Sequence, residues 1–197
     1  TGLPALADDS GLEVDGLGGL PGPVSSRYAG KGATDAENNA KLMEKLAEIP
    51  ANDPRRAARF RCVAAIVWPG GACAEAEGVC EGRIALAPRG DGGFGYDPLF
   101  EVAGQGGATM AQLGEEVKNR ISHRAKALEG LRGHLLALAA GAERGVGMGG
   151  QRRVRLDEYV GAHRGMSRRI WLEAEGTSHR PHRNVRRRPR SPEESEI

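Results

Sequence analysis

The chain has 197 residues, with 28 Lys and Arg against 26 Asp and Glu and a hydrophobic fraction of 39%. That length suits one domain with a true core, or one domain plus a tail. No apolar run reaches the roughly 18 residues that read as a membrane span, so no membrane partner is expected, and residues 1–9 lack the basic and apolar regions of a signal peptide. The net charge of +2 divides into −3 over residues 1–141 and +5 over residues 142–197, where 13 Arg and no Lys stand. An acidic body with a basic tail lacks the footprint of a dedicated nucleic-acid-binding domain, so no specific nucleic-acid partner is expected. Cys62, Cys73 and Cys80 show no CxxC spacing. They read as free thiols in a reducing, cytoplasmic setting rather than as a zinc site.

Residues 5–12 read ALADDSGL, an apolar strand ending in adjacent Asp8 and Asp9 and a Ser10-Gly11 turn. Two readings stand. Paired carboxylates at a strand mouth suit a hard cation, and acids beside Ser-Gly are also ordinary turn chemistry. A turn-rich loop over residues 18–23 leads to Arg27, which either meets a phosphate or a partner subunit, or packs exposed on Tyr28. Thr34 and Glu37 form a capping box that opens a helix. Ala36, Ala40, Met43 and Ala47 share one face of it, and Pro50 stops the pattern, so the helix is expected over residues 34–49.

Phe60, Cys62, Ala64, Ile66 and Trp68 alternate, which predicts a strand over residues 59–68. Pro69-Gly70-Gly71 then turns the chain into a second strand over residues 75–83, an antiparallel hairpin. Residues 89–100 place four glycines around Phe94 and follow them with Tyr96, Asp97 and Pro98. Such a loop either stacks a planar base or is a surface turn feeding a strand over residues 99–102. A helical turn is expected over residues 109–113. Lys118, Arg120, His123 and Arg124 crowd the next segment. Ser122 caps a helix in which Ile121, Ala125, Leu128, Leu131, Leu135 and Leu138 repeat at helical spacing. His123 and Arg124 fall in its first turn, where free N–H groups already attract anions. Cations there mark an anionic ligand or a solvated basic face. Beyond residue 140 a Gly-rich stretch precedes residues 180–197, which read as disordered, with a short helix expected over residues 167–174.

Four segments, taken together and in this order, resemble the inosine triphosphate pyrophosphatase family, which cleaves noncanonical purine nucleotides. They are ALADDSGLEVDGLGGLPGPVSSRYAG, ARFRCV, GGFGYDPLF and EEVKNRISHRAKAL. The resemblance covers residues 1–140. It implies an α/β fold with an elongated, mixed, twisted sheet, flanking helices and two lobes around a cleft. It implies a homodimer that uses Mg²⁺ to cut ITP, dITP and XTP into the monophosphate and pyrophosphate. By the same resemblance, Asp9 binds the metal and acts as general base, with Asp8 beside it at the metal. Ser10 resembles a substrate-contacting residue. Phe94, Gly95, Tyr96 and Asp97 resemble the loop that receives the purine, with one aromatic stacking on it. Lys118, His123 and Arg124 resemble nucleotide contacts, the His-Arg pair lying at the 6-oxo edge of the base.

The chemistry agrees with that assignment. Cleaving a phosphoanhydride needs neutralised charge and an aimed water more than covalent help. A donor facing the 6-oxo group discriminates against adenine by about 10⁴ or more, because mismatched buried polar groups go unpaired. Family members open with a strand and a TGN-x-x-K phosphate loop, and the expectation is that this chain lacks both. That expectation carries an alternative, a truncated homologue that binds nucleotide or dimerises without turnover. Residues 1–140 are thus expected to form a domain incomplete at its N-terminus, and residues 141–197 an Arg-rich tail, largely disordered.

Overall fold

Alternation of apolar and polar side chains builds the two longest strands. The structure, a computed structural model, describes residues 2–141. The disorder expected of the tail and the helix expected over residues 167–174 lie outside the described residues. Strand β3 (Ala57–Val67) pairs antiparallel with β4 (Cys73–Ile84), from Ala57↔Arg83 to Val67↔Cys73. Their turn is closed by Trp68 N–H donating to the Ala72 carbonyl at 2.9 Å, and Gly71 adopts φ +80°, a value side chains resist. The other edge of β3 carries β1 (Ala5–Val14), antiparallel through Ala5↔Val67 to Val14↔Ala58. Short strands β2 (Pro21–Gly22) and β5 (Phe100–Val102) complete the order β2-β1-β3-β4-β5. The α/β class stands. Every pairing among the described strands is antiparallel, so no parallel part of the expected mixed sheet is present among them.

Helix α1 (Asp35–Lys45) opens with the predicted capping box and ends four residues before its predicted limit. The physical reason is Pro50, which has no N–H to offer the Leu46 carbonyl four residues back. Ile49 N–H donates to that carbonyl at 3.0 Å instead, and Arg56 adds a second donor. Arg56 is 1% exposed and donates to the carbonyls of Leu46 (2.9 Å), Ile49 (2.8 Å), Ala85 (3.1 Å) and Ile84 (3.3 Å).

The single helix expected around the leucine repeat is three: α2 (Glu115–Ile121), α3 (His123–Gly130) and α4 (Arg132–Ala139). Ser122 is extended and caps α3, its hydroxyl accepting from Ala125 N–H at 3.2 Å. Leu131, at ψ 2°, breaks the rest. The leucine spacing reported burial correctly, since Leu131 is buried and Leu128, Leu135 and Leu138 pack beside it. It did not report continuity.

Side chains on one face of the sheet form two clusters. One joins Leu12, Val14, Phe60 and Phe100 to Leu42 and Leu46 of α1. The other joins Cys62, Ala64 and Ile66 to Ala127 and Leu131. A Cβ on Gly78 would collide with the His123 carbonyl and the Ala127 nitrogen, so α3 lies against β4 because that position is glycine. The opposite face is charged. Arg59 meets Asp15 at 2.6 Å and Glu13 and Glu81 at 3.6 Å, and Arg61 meets Glu77 and Glu13.

Candidate functional site

The Asp pair does not end its strand, as expected, but sits inside it. β1 continues to Val14, and Gly11 is needed for close approach rather than for a turn, since a Cβ there would strike the Gly22 carbonyl. Successive side chains of a strand point to opposite faces. Asp8 and Ser10 therefore share the face of Cys62 and Ala64, and Asp9 falls on the other. Asp8 Oδ2 accepts from Arg124 Nε at 2.9 Å, from Ser10 Oγ at 3.3 Å and from Cys62 Sγ at 3.8 Å. Arg124 also reaches Ser10 Oγ at 3.5 Å. The pleat separates the two carboxylates, and a guanidinium engages Asp8. No group of three or more His, Cys, Asp or Glu is arranged to hold a metal among the described residues.

The glycine loop comes to the same place from another part of the chain. Phe94 is 65% exposed, and the Arg124 guanidinium lies 5.8 Å from its ring centroid. Tyr96, two residues on, is 4% exposed, and its hydroxyl donates to the Ser25 carbonyl at 2.8 Å. Burial pushes its phenol well above the usual range. The Tyr96 ring belongs to the core, and Phe94 is the exposed aromatic of the loop. Gly95 N–H donates to Asp35 Oδ2 at 2.6 Å, and Asn39 Nδ2 donates to the Gly95 carbonyl at 2.9 Å. Asp97 is buried, accepts from Phe94 N–H at 3.4 Å and pairs with Lys118 at 3.4 Å. Burial raises its carboxyl above the ordinary range, and the Lys118 charge opposes that rise. Lys118 thus braces the loop from below.

His123 opens α3 at 8% exposure, its ring stacked on Phe60 at 4.9 Å between centroids. Burial, then the Arg124 charge, pulls its pKa down to about 4, partly offset by Asp8. The imidazole is neutral at pH 7 and offers one donor and one acceptor. Its Nδ1 has no partner among the described residues. Arg27 is exposed, and the Lys41 ammonium lies 4.8 Å from the centroid of the neighbouring Tyr28 ring. Sequence reasoning missed Asp35, Asn39 and Arg56. The first two lie in the stretch read only as a helix, and no sequence pattern marks Arg56 as buried.

Three distant segments thus meet. Asp8 and Ser10 come from β1, Phe94 from the loop, and His123 and Arg124 from the start of α3. A model of the Ham1 family matches residues 1–134. A dITP/XTP pyrophosphatase from Geobacter sulfurreducens is 54% identical over 135 residues, covering 68% of this chain and 66% of the relative. One from Geobacillus kaustophilus is 55% identical over 125 residues, covering 64% and 60%. The solved structure of a HAM1 protein from Coxiella burnetii matches with a TM-score of 0.63 at 51% identity, covering 69% of this chain and 68% of that one. The chain spans 60–66% of the length of these two curated relatives.

Proposed function

The chain belongs to the Ham1 family, and from that premise we propose that it hydrolyses ITP, dITP and XTP to the monophosphate and pyrophosphate. The observation that carries the reading is the meeting of Asp8, Ser10, Phe94, His123 and Arg124 at one spot. Residues 1–140 are the catalytic unit in this reading, and residues 141–197 a separate tail.

Phe94 offers a face for the purine to stack on. His123, neutral and buried, and Arg124 offer donors to the 6-oxo edge, where adenine presents a donor of its own. Ser10 contacts the substrate beside Arg124. Gly95 and Asp97 shape the loop, and Lys118 holds Asp97. The family resemblance gives Asp9 the proton of the attacking water, although its carboxylate leaves β1 on the face opposite Asp8 and Ser10. The water oxygen bonds to the α-phosphorus, the bond to the α–β bridging oxygen breaks, and pyrophosphate leaves with that oxygen.

Asp8 and Asp9 do not fit as joint ligands of one ion. Asp9 alone fits Mg²⁺ as a single hard oxygen donor, because this ion commonly takes one or two carboxylates and completes its shell with water and phosphate oxygens. When bound, Mg²⁺ supplies charge neutralisation on the phosphates and a more acidic water. The reading also carries a homodimer and a cytoplasmic setting. The three free thiols are compatible with reducing conditions, and no described helix is long and apolar enough to cross a membrane.

The test is pyrophosphate release from ITP, dITP and XTP against GTP and ATP, with Mg²⁺. Release selective for the first three is expected. Asp9→Asn should reduce it by about 10² or more, as loss of a general base does, and Asp8→Asn by less. Equal release from ATP, or full release by Asp9→Asn, would defeat the reading.

A further inference from the structure

We propose that Asp35 and Asn39 of α1 are positioning residues for the purine-stacking ring. They grip both peptide groups of Gly95 and so hold the Phe94 ring in place before ligand arrives. The proposal rests on the nucleotide reading above.

Residues four apart on a helix stand on one face. Here that face meets a single glycine, Asp35 accepting its N–H at 2.6 Å and Asn39 donating to its carbonyl at 2.9 Å. The loop needs such a grip. Gly93 and Gly95 flank Phe94 at φ +85° and +59°, and glycine confers the freedom to leave those conformations as well as to adopt them. The loop's own ties to Phe94 are longer, its N–H donating to Asp97 Oδ2 at 3.4 Å and its carbonyl accepting from Asp97 N–H at 3.1 Å. Asn39 also leaves its Oδ1 buried without a partner. A side chain kept only for stability has little reason to bury an unpaired acceptor, and one kept for its donor does.

The support behind the grip is rigid. α1 is fixed by its capping box, by buried Leu42 and by Asn38, which accepts from Ala29 N–H at 2.8 Å. A site held on a helix keeps its geometry better than one held by a loop alone. Loosening the grip lowers the fraction of molecules with the ring in place, and apparent affinity falls by that fraction. The loss should touch only ligands that carry a base.

The test compares binding of ITP and of inorganic tripolyphosphate by the full chain, with Asp35→Ala, Asn39→Ala and Asp35→Asn. Asp35→Ala removes a charge-assisted hydrogen bond and should weaken ITP binding about tenfold. Tripolyphosphate binding should stay within about twofold, since it needs no ring. Asp35→Asn keeps an acceptor and should recover most of the loss. Fluorine NMR of fluorophenylalanine-labelled protein gives a readout without nucleotide. Of the three phenylalanines, Phe60 and Phe100 are buried and pack together at 4.5 Å, so their resonances report folding. In Asp35→Ala the Phe94 resonance should move towards that of a mobile ring while the other two stay. Equal weakening of both ligands, or an unmoved Phe94 resonance, would overturn the proposal. A wild-type chain that binds tripolyphosphate but not ITP would overturn the nucleotide reading, and the Phe94 resonance would then decide the grip by itself.

Discussion

The two clusters on the covered face of the sheet are built by opposite means. The first is filled with large side chains, Leu12, Leu42, Phe60, Tyr96 and Phe100 among them, and Arg56 ties its connecting segments together. The second is thin. Ala64, Ala76, Gly78, Ala127 and Gly130 let α3 approach the strands, and the cluster's large residues, apart from buried Ile66 and Leu131, are only partly buried. Depth of burial holds the first cluster, and closeness of backbone holds the second. The candidate site lies on the seam, where Phe60 of the first cluster stacks on His123 and Cys62 of the second donates to Asp8. His123 and Arg124 therefore stand where they do because of small residues beneath α3.

Arg56→Met offers the strongest challenge to the first half. It takes a donor from four carbonyls, of which that of Leu46 keeps Ile49 N–H. An unpaired buried carbonyl costs about 1–3 kcal/mol, so the variant should lose about 4 kcal/mol in urea denaturation. A cost under about 1 kcal/mol would mean that the large side chains hold that cluster unaided.

The seam should show itself in pH dependence. The folded His123 pKa is about 4, against an ordinary 6.5. Between these values the unfolded chain binds more protons than the folded one, so stability rises with pH across the window and is lost as pH falls through it. The full effect is about 3 kcal/mol. Asp97 acts in the opposite sense, because its raised pKa favours the folded state in acid. The comparison is therefore wild type against His123→Phe, which keeps a ring on Phe60 and removes the titration. The difference between the two stability curves should carry that slope, and parallel curves would contradict it.

Gly78→Ala tests the thin half. Its Cβ must displace the backbone of α3, and overpacking of this kind costs about 2 kcal/mol. ITP binding should weaken as well, because His123 and Arg124 ride on that helix. Unchanged binding and melting would show that closeness is not what holds α3. Arg124→Met gives the smallest stability change. Its pair with Asp8 is partly exposed, so unfolding should shift by under about 1 kcal/mol while ITP binding falls about tenfold.

Much of this layout was legible from residue pattern. The β3–β4 hairpin followed from alternation around Pro69-Gly70-Gly71, and α1 announced its start through Thr34 and Glu37. The end of α1 was not legible, because the Leu46 carbonyl is met by a tighter turn from Ile49 N–H and by Arg56, next to a different strand. Nor was the break at Leu131, since leucine spacing records which residues are buried and not whether the axis bends. At the site, the motifs named segments that the fold brings together, and did not show how two side chains are placed. Tyr96 and Phe94 look alike in sequence, and only the Ser25 carbonyl that receives the Tyr96 hydroxyl separates them. Asp8 and Asp9 look like a chelating pair until the strand continues through them and the pleat divides them.

The most direct measurement is a double-mutant cycle on ITP binding with Phe94→Ala, Arg124→Met and the double variant, read by calorimetry. If the loop and the start of α3 form one nucleotide site, the two losses will not add, and the coupling will be about 0.5–3 kcal/mol. Losses that add within about 0.3 kcal/mol, or a wild-type chain that does not bind ITP, would contradict the account.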